Sequence, residues 1–205
     1  MGNGNISNDA PEPAWGRHRR SIRLKGYDYT CAGAYFITIC AENRTCLFGD
    51  IDSETMRLND VGRMIQEIWD AIPLHYPGVD VDAFVVMPNH IHGIIILDGG
   101  QPQGVARPFS VGDMVQRFKS LTTKRYSDRV HAGEWPPFPG RLWQRNYYEL
   151  IIRDERALNA IREYIYRNPA RWAEDAENDL RQRDGQTDAT VDRDAVPYPT
   201  TFRTP

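Results

Sequence analysis

The chain has 205 residues, 40% of them hydrophobic and 26% charged, enough for one domain with a full core and too few for a multidomain machine. No apolar run approaches the roughly 20 residues that a bilayer crossing needs, so a soluble protein is expected. The net charge of −3, taken as an average, argues mildly against a nucleic-acid partner, but the average conceals a segregation along the chain.

Residues 1–16 are dominated by Pro, Asn, Gly and Ser, lack the apolar stretch of a secretory signal, and are expected to form a disordered leader. Arg17, Arg19, Arg20, Arg23 and Lys25 then make a basic arm suited to phosphate. Ala34–Ala41 is rich in aromatic and β-branched residues and reads as a first strand. Asp50–Asp82 holds eight acids against Arg57 and Arg63, a stretch that should avoid phosphate. Within it, Asn59 or Asp60 can cap a helix whose apolar positions Val61, Met64, Ile65, Ile68, Trp69 and Ile72 follow the 3.6-residue period and which stops before Pro73. Val79–Met87 reads as a second strand, Pro88-Asn89 as its break and His90–Leu97 as a third, so the pair should be an antiparallel hairpin. A glycine-rich loop over Asp98–Pro108 leads to a second helix from Ser110, with Val111, Met114, Val115, Phe118 and Leu121 apolar and Arg117, Lys119, Lys124 and Arg125 polar. Leu142–Ile152 reads as a fourth strand and Asp154–Arg167 as a third helix, closed at Asn168-Pro169 because a residue before proline resists the helical region. Ala173–Pro205, with eight acids and four arginines, is expected to be a disordered acidic tail, leaving 17–172 as the domain with a net charge of +1 on Met1–Trp172.

Strand, helix, strand, strand, helix, strand is the β-α-β-β-α-β order of an α+β, ferredoxin-like antiparallel sheet, with the third helix additional and free to cover the other face. Cys31, Cys40 and Cys46 include no C-x-x-C pair and are odd in number. They point to a reducing cytoplasm and to small, mostly buried hydrophobes.

His90 and His92 alternate along a strand, so both imidazoles point to one face and can share one metal ion, or can pack as hydrogen-bonded histidines beneath a helix. On the third helix Leu158, Ile161 and Ile165 make the packing stripe, while Tyr164 and Asn168, four residues apart, share a neighbouring face. If that helix crosses the face bearing the histidines, Asn168 can supply a third ligand and hold Tyr164 beside it. Two imidazoles and an amide oxygen are all neutral and would leave a divalent ion its full charge. The mixed nitrogen and oxygen donors suit Mg²⁺ or Mn²⁺. Trp143, Tyr147 and Tyr148 either stack on unpaired bases or belong to the core.

Met-Pro-Asn-His-Ile-His (Met87–His92), the run Trp143–Arg153 (WQRNYYELIIR) and the run Ile161–Pro169 (IREYIYRNP) together resemble the REP-associated tyrosine transposases, relatives of the one-tyrosine transposases of bacterial insertion sequences in the HUH nuclease group. The resemblance runs from Arg20 to Trp172. It implies a ferredoxin-like fold, His90, His92 and Asn168 as metal ligands, and Tyr164 as a nucleophile that cleaves single-stranded DNA and leaves a 5′-phosphotyrosine link beside hairpin sequences. It also implies single-stranded or hairpin DNA as partner, with Arg17–Lys25 and Arg117, Lys119, Lys124 and Arg125 as phosphate contacts, and a monomer acting in cis where the insertion-sequence relatives would be homodimers. Tyr166, two residues on, falls on roughly the opposite side of the helix. The rival reading is a non-catalytic ferredoxin-like nucleic-acid-binding module of the RRM plan, which has no need of the two histidines with Tyr164.

Overall fold

The computed structural model describes residues 30–99, 109–138, 140–175, 177 and 178. The expected leader, the arm from Arg17 to Lys25 and most of the acidic tail lie outside the described residues. Strand β1 (Gly33–Cys40) is followed by a 3-10 turn (Glu42–Arg44), strands β2 (Gly49–Asp52) and β3 (Thr55–Leu58), helix α1 (Asp60–Asp70) and the one-turn helix α2 (Ile72–His75). Then come β4 (Val79–Val86), β5 (His90–Leu97), the long helix α3 (Val111–His131), β6 (Tyr148–Ile152), α4 (Glu155–Arg167) and a second 3-10 turn (Pro169–Glu174). One sheet runs β4-β5-β1-β6 with every neighbouring pair antiparallel. With the β2–β3 hairpin set aside, this is the expected ferredoxin-like order, and α4 is the additional helix.

Each long helix begins where its sequence supplies an oxygen for an orphan amide. Asn59 accepts from the Gly62 amide, Asp154 accepts from the Ala157 amide, and Ser110 and Asp113 form a reciprocal capping box. Such caps contribute about 1 kcal/mol each.

Strand alternation sorts the core into two layers. Tyr35, Ile37 and Ile39 of β1 with Ile91 and Ile95 of β5 face α1 and α3, joining Ile65, Trp69, Met114, Val115 and Phe118. Gly93 lies on that face because the Trp69 indole lies against it: a Cβ there would come within 2.5 Å of the ring. Phe36, Ile94 and Ile152 face the other way and meet Ile161 and Ile165 of α4. The β4–β5 register shifts between Val81 and Phe84. From that irregular stretch Asp82 accepts from Arg162 of α4 through Nε at 2.9 Å and a terminal nitrogen at 2.5 Å, clasping the helix to the sheet.

The structure corrects several sequence expectations. The β2–β3 hairpin escapes notice because its two turn residues, Ser53 and Glu54, take φ of 50° and 63° without the Gly or Asn that usually signals such a turn. Leu142–Tyr147 is not strand. It makes a single bridge, Ala41 to Trp143, and its carbonyls at Gln144, Arg145 and Asn146 turn to the Lys119 ammonium at 2.9–3.3 Å. Trp143 is buried and donates to Thr122, so it is core rather than a base-stacking platform. Leu121 is exposed, and Thr122 and Tyr126 continue the buried stripe of α3 to its end. Cys31 and Cys46 are exposed and Cys40 half-buried, against the expectation of buried thiols. The first residues of the expected tail fold back on the domain: Asp175 and Glu177 reach His90, Asn89 and Cys40, and Asn178 donates to the Trp172 carbonyl.

Candidate active site

β5 pairs with β1 so that Cys40 lies opposite His90, Thr38 opposite His92 and Phe36 opposite Ile94. The polar residues of two strands thereby gather on the face covered by α4. His90 and His92 are fully buried and their Nε2 atoms stand 3.0 Å apart. The Phe36 ring stacks on His92 at 5.4 Å, and Tyr164 meets both rings edge-on.

The outer nitrogen of each ring is spoken for. Asn89 donates through Nδ2 to the carbonyls of Arg44 and Glu177, so its Oδ1 faces His90 Nδ1 at 2.8 Å and can only accept from it. His90 Nδ1 therefore carries the proton. His92 Nδ1 lies 2.8 Å from the Thr38 hydroxyl, which can accept in the same way. Burial, reinforced by the Arg44 charge, pushes His90 down to about 3, and burial with the neighbouring His90 holds His92 well below the usual range. Both imidazoles are neutral at pH 7, and His90 turns a lone pair toward His92.

From α4, Tyr164 brings its hydroxyl to 3.4 Å from His92 Nε2. Asn168 at the helix end is buried, and its Oδ1 has no hydrogen-bond partner. Burial and then the Asp175 charge push the Tyr164 phenol well above its ordinary range, while a bond from the Asn168 side chain acts the other way. Tyr166 is exposed and points away. His90, His92, Tyr164 and Asn168 are thus brought together.

The segment after α4 completes the enclosure. Trp172 tilts over the His90 ring, and Asp175 places a carboxylate oxygen 3.8 Å from His90 Nε2. Glu177 pairs with Arg44 at 2.9 Å and accepts from the Cys40 thiol at 3.3 Å. Thr38, Asn89 and Asp175 are the residues that sequence reasoning missed. Strand parity places Thr38 on the histidine face once the β1–β5 register is known, and Asn89 adjoins the motif. Asp175 carries no periodic or motif signal at all.

The cationic residues of α3 sit elsewhere. Lys119 is committed to three carbonyls and to the Tyr147 ring, and burial pushes its ammonium down to about 8. Arg117 lies over the rings of Tyr76 and Phe109, Lys124 pairs with Asp128 and Arg125 with Glu67. All four belong to the helix that packs against the sheet face opposite the histidines.

The donor set fits a divalent cation. Two neutral imidazoles converge, the Asp175 carboxylate completes a group whose nitrogen and oxygen atoms lie within 4.8 Å of one another, and Asn168 adds a buried amide oxygen without a hydrogen-bond partner. Ligands at right angles on an ion about 2.1 Å away stand about 3.0 Å apart, the separation of the two Nε2 atoms.

A ferredoxin-like sheet thus presents His-x-His to a tyrosine on a covering helix, the arrangement that the sequence resemblance implies. Residues 34–168 match the family described as "Transposase IS200 like", and the chain belongs to that family. Its role is accordingly that of a transposase. An uncharacterised Haemophilus influenzae protein is 42% identical over 172 residues, covering 77% of this chain and 92% of its own length. A second protein of that organism, assigned by name to the REP-associated tyrosine transposases, is 26% identical over 145 residues, 70% of this chain and 74% of its own. Among solved structures, a REP-associated tyrosine transposase bound to a REP hairpin is 21% identical with a TM-score of 0.49, covering 73% of this chain and 74% of the other. Among the described residues, no helix is long and apolar enough to cross a membrane.

Proposed function

We propose that this transposase is a REP-associated type of single-strand DNA endonuclease and strand transferase, using Tyr164 as nucleophile beside hairpin sequences. The observation that carries the reading is the approach of the Tyr164 hydroxyl to within 3.4 Å of His92, in the same chain, where the histidine pair converges. The proximity within one chain supports a monomer acting in cis.

In the reaction the Tyr164 oxygen bonds to phosphorus as the bond from phosphorus to the 3′ oxygen breaks, and the phenol proton ends on that oxygen. The products are a 5′-phosphotyrosine and a free 3′-hydroxyl that can reverse the step. His90, His92 and Asn168 would hold a divalent ion, Mg²⁺ or Mn²⁺, which when bound supplies Lewis-acid charge at the scissile phosphate. Thr38 and Asn89 fix the ring orientations, and Phe36 and Ile165 keep the tyrosine helix seated. Burying two imidazoles and an unpartnered amide oxygen costs folding free energy that a passive binding module has no reason to spend.

The test is a denaturing gel of protein incubated with labelled single-stranded hairpin DNA and Mn²⁺. A covalent adduct should form, vanish in Tyr164→Phe and persist in Tyr166→Phe; the reverse pattern would move the nucleophile. The arm Arg17–Lys25 is the proposed hairpin contact. Deleting it should weaken hairpin affinity and flatten its salt dependence, whereas removing 179–205 should leave affinity equal or raised.

A further inference from the structure

We infer that Asp175, from the segment that follows the tyrosine helix, is a ligand of the same divalent ion, which makes the coordinating set two imidazoles, an amide oxygen and one carboxylate. The inference rests on the metal reading above and adds to it the only charged donor.

Geometry comes first. The Asp175 Oδ2 atom stands 3.8 Å from His90 Nε2, between the separations of about 3.0 and 4.2 Å expected for neighbouring and opposite ligands on one ion. Its place is built by the local chain: the Asp175 amide donates to the Trp172 carbonyl, and its Oδ1 accepts from the Glu177 amide at 2.7 Å. Asn178 donates to the Trp172 carbonyl, and Glu177 anchors the segment to Arg44 and, through its carbonyl, to Asn89. Asn89 is the residue that orients His90, so one amide side chain ties the carboxylate's segment to the imidazole.

Charge supplies the second, independent argument. The Asp175 side chain is 7% exposed. Among the described residues the one basic side chain within 4.0 Å of it is the neutral His90, and no guanidinium or ammonium reaches it. A carboxylate that deeply buried needs a counter-charge or a full set of donors, and it has one amide. Arg44, the nearby cation, is taken by Glu177. A divalent ion between His90, His92 and Asp175 balances this account. Without a carboxylate the ion would sit near Arg44 with no negative ligand.

The test measures Mn²⁺ binding to the full chain by calorimetry and by the loss of the free-ion electron paramagnetic resonance signal, without DNA. Asp175→Asn should raise the Mn²⁺ dissociation constant tenfold or more, and Glu177→Gln, which changes the same charge a few ångströms away, should raise it by less than threefold. In EDTA, Asp175→Asn should unfold at a temperature no lower than the parent, because it removes an uncompensated buried charge, and Mn²⁺ should raise its melting temperature less than the parent's. An unchanged dissociation constant in Asp175→Asn, or equal weakening by the two variants, would overturn coordination by Asp175. His90→Ala separates the two readings: if it keeps parental Mn²⁺ affinity, the two-histidine site fails, whatever Asp175 does.

Discussion

The two faces of the sheet are made by the same strands and are chemically unlike. Toward α1 and α3, β5 presents Ile91, Gly93 and Ile95, and the layer is hydrocarbon packed so closely that an indole occupies the space of a missing side chain. Toward α4 it presents His90, His92 and Ile94, and the layer mixes imidazoles, a phenol, an amide and carboxylates with a smaller apolar cluster. The division separates the larger apolar layer from the one that carries the candidate site, on opposite sides of one sheet. Substitutions on the first face should cost folding, and those on the second should cost cleavage.

The sharpest separation is expected from the histidines. His90→Ala and His92→Ala should each reduce DNA cleavage beyond detection, and Asn168→Ala should raise the Mn²⁺ concentration required while leaving measurable activity, read as adduct formed against Mn²⁺ concentration. Next in size, Trp69→Ala on the opposite face should cost about 3–5 kcal/mol in urea unfolding, and Gly93→Ala about 1–3 kcal/mol by overpacking against the same ring. Cleavage by the folded fraction should survive both. A Gly93→Ala protein as stable as the parent would show that the Trp69 ring yields without cost and is not closely packed against β5.

A smaller effect tests how α4 is held. Arg162 keeps the Asp82 carboxyl below its usual range, chiefly through their hydrogen bonds. The folded-state value lies below the unfolded one, so this contribution is present above the ordinary carboxylate pKa of about 4 and is lost as pH falls through the folded value. Asp82→Asn should therefore be about 1 kcal/mol less stable at pH 7, with the gap closing toward pH 2 in urea titrations. The smallest expected change is at Lys119. Its ammonium is occupied by three carbonyls, so Lys119→Met should leave the salt slope of hairpin binding where it was while costing about 1 kcal/mol of stability.

The parts of this site written in periodic code were readable from residues alone. A spacing of two on a strand puts His90 and His92 on one face, and a spacing of four on a helix puts Tyr164 beside Asn168, whatever the rest of the chain does. The sheet order followed from the succession of elements and the short β4–β5 connection. Features that depend on tertiary partners left no such trace. Leu142–Tyr147 has the composition of a strand, but Lys119 draws its carbonyls out of ladder geometry. Ser53 and Glu54 turn a hairpin in a backbone region that composition does not announce. Asp175 reaches the histidines only because the chain reverses after Pro169, and its acidic, polar surroundings read as tail. The placement of the α3 cations is likewise set by tertiary structure: an amphipathic helix displays charge, but the sequence does not say which side of the sheet receives it.

The register of β1 against β5 carries an implication for how this protein fails. Thr38 meets His92 and Cys40 meets His90 because the two strands are paired in one alignment. A slip by a single residue would turn the imidazoles toward α1 and α3 and drive Ile91 and Ile95 to the side of the tyrosine. Such a chain would lose its oily layer and its reactive centre in the same event. The apolar layer thereby opposes the slip, and the same packing that holds the sheet in register keeps both histidines turned toward Tyr164.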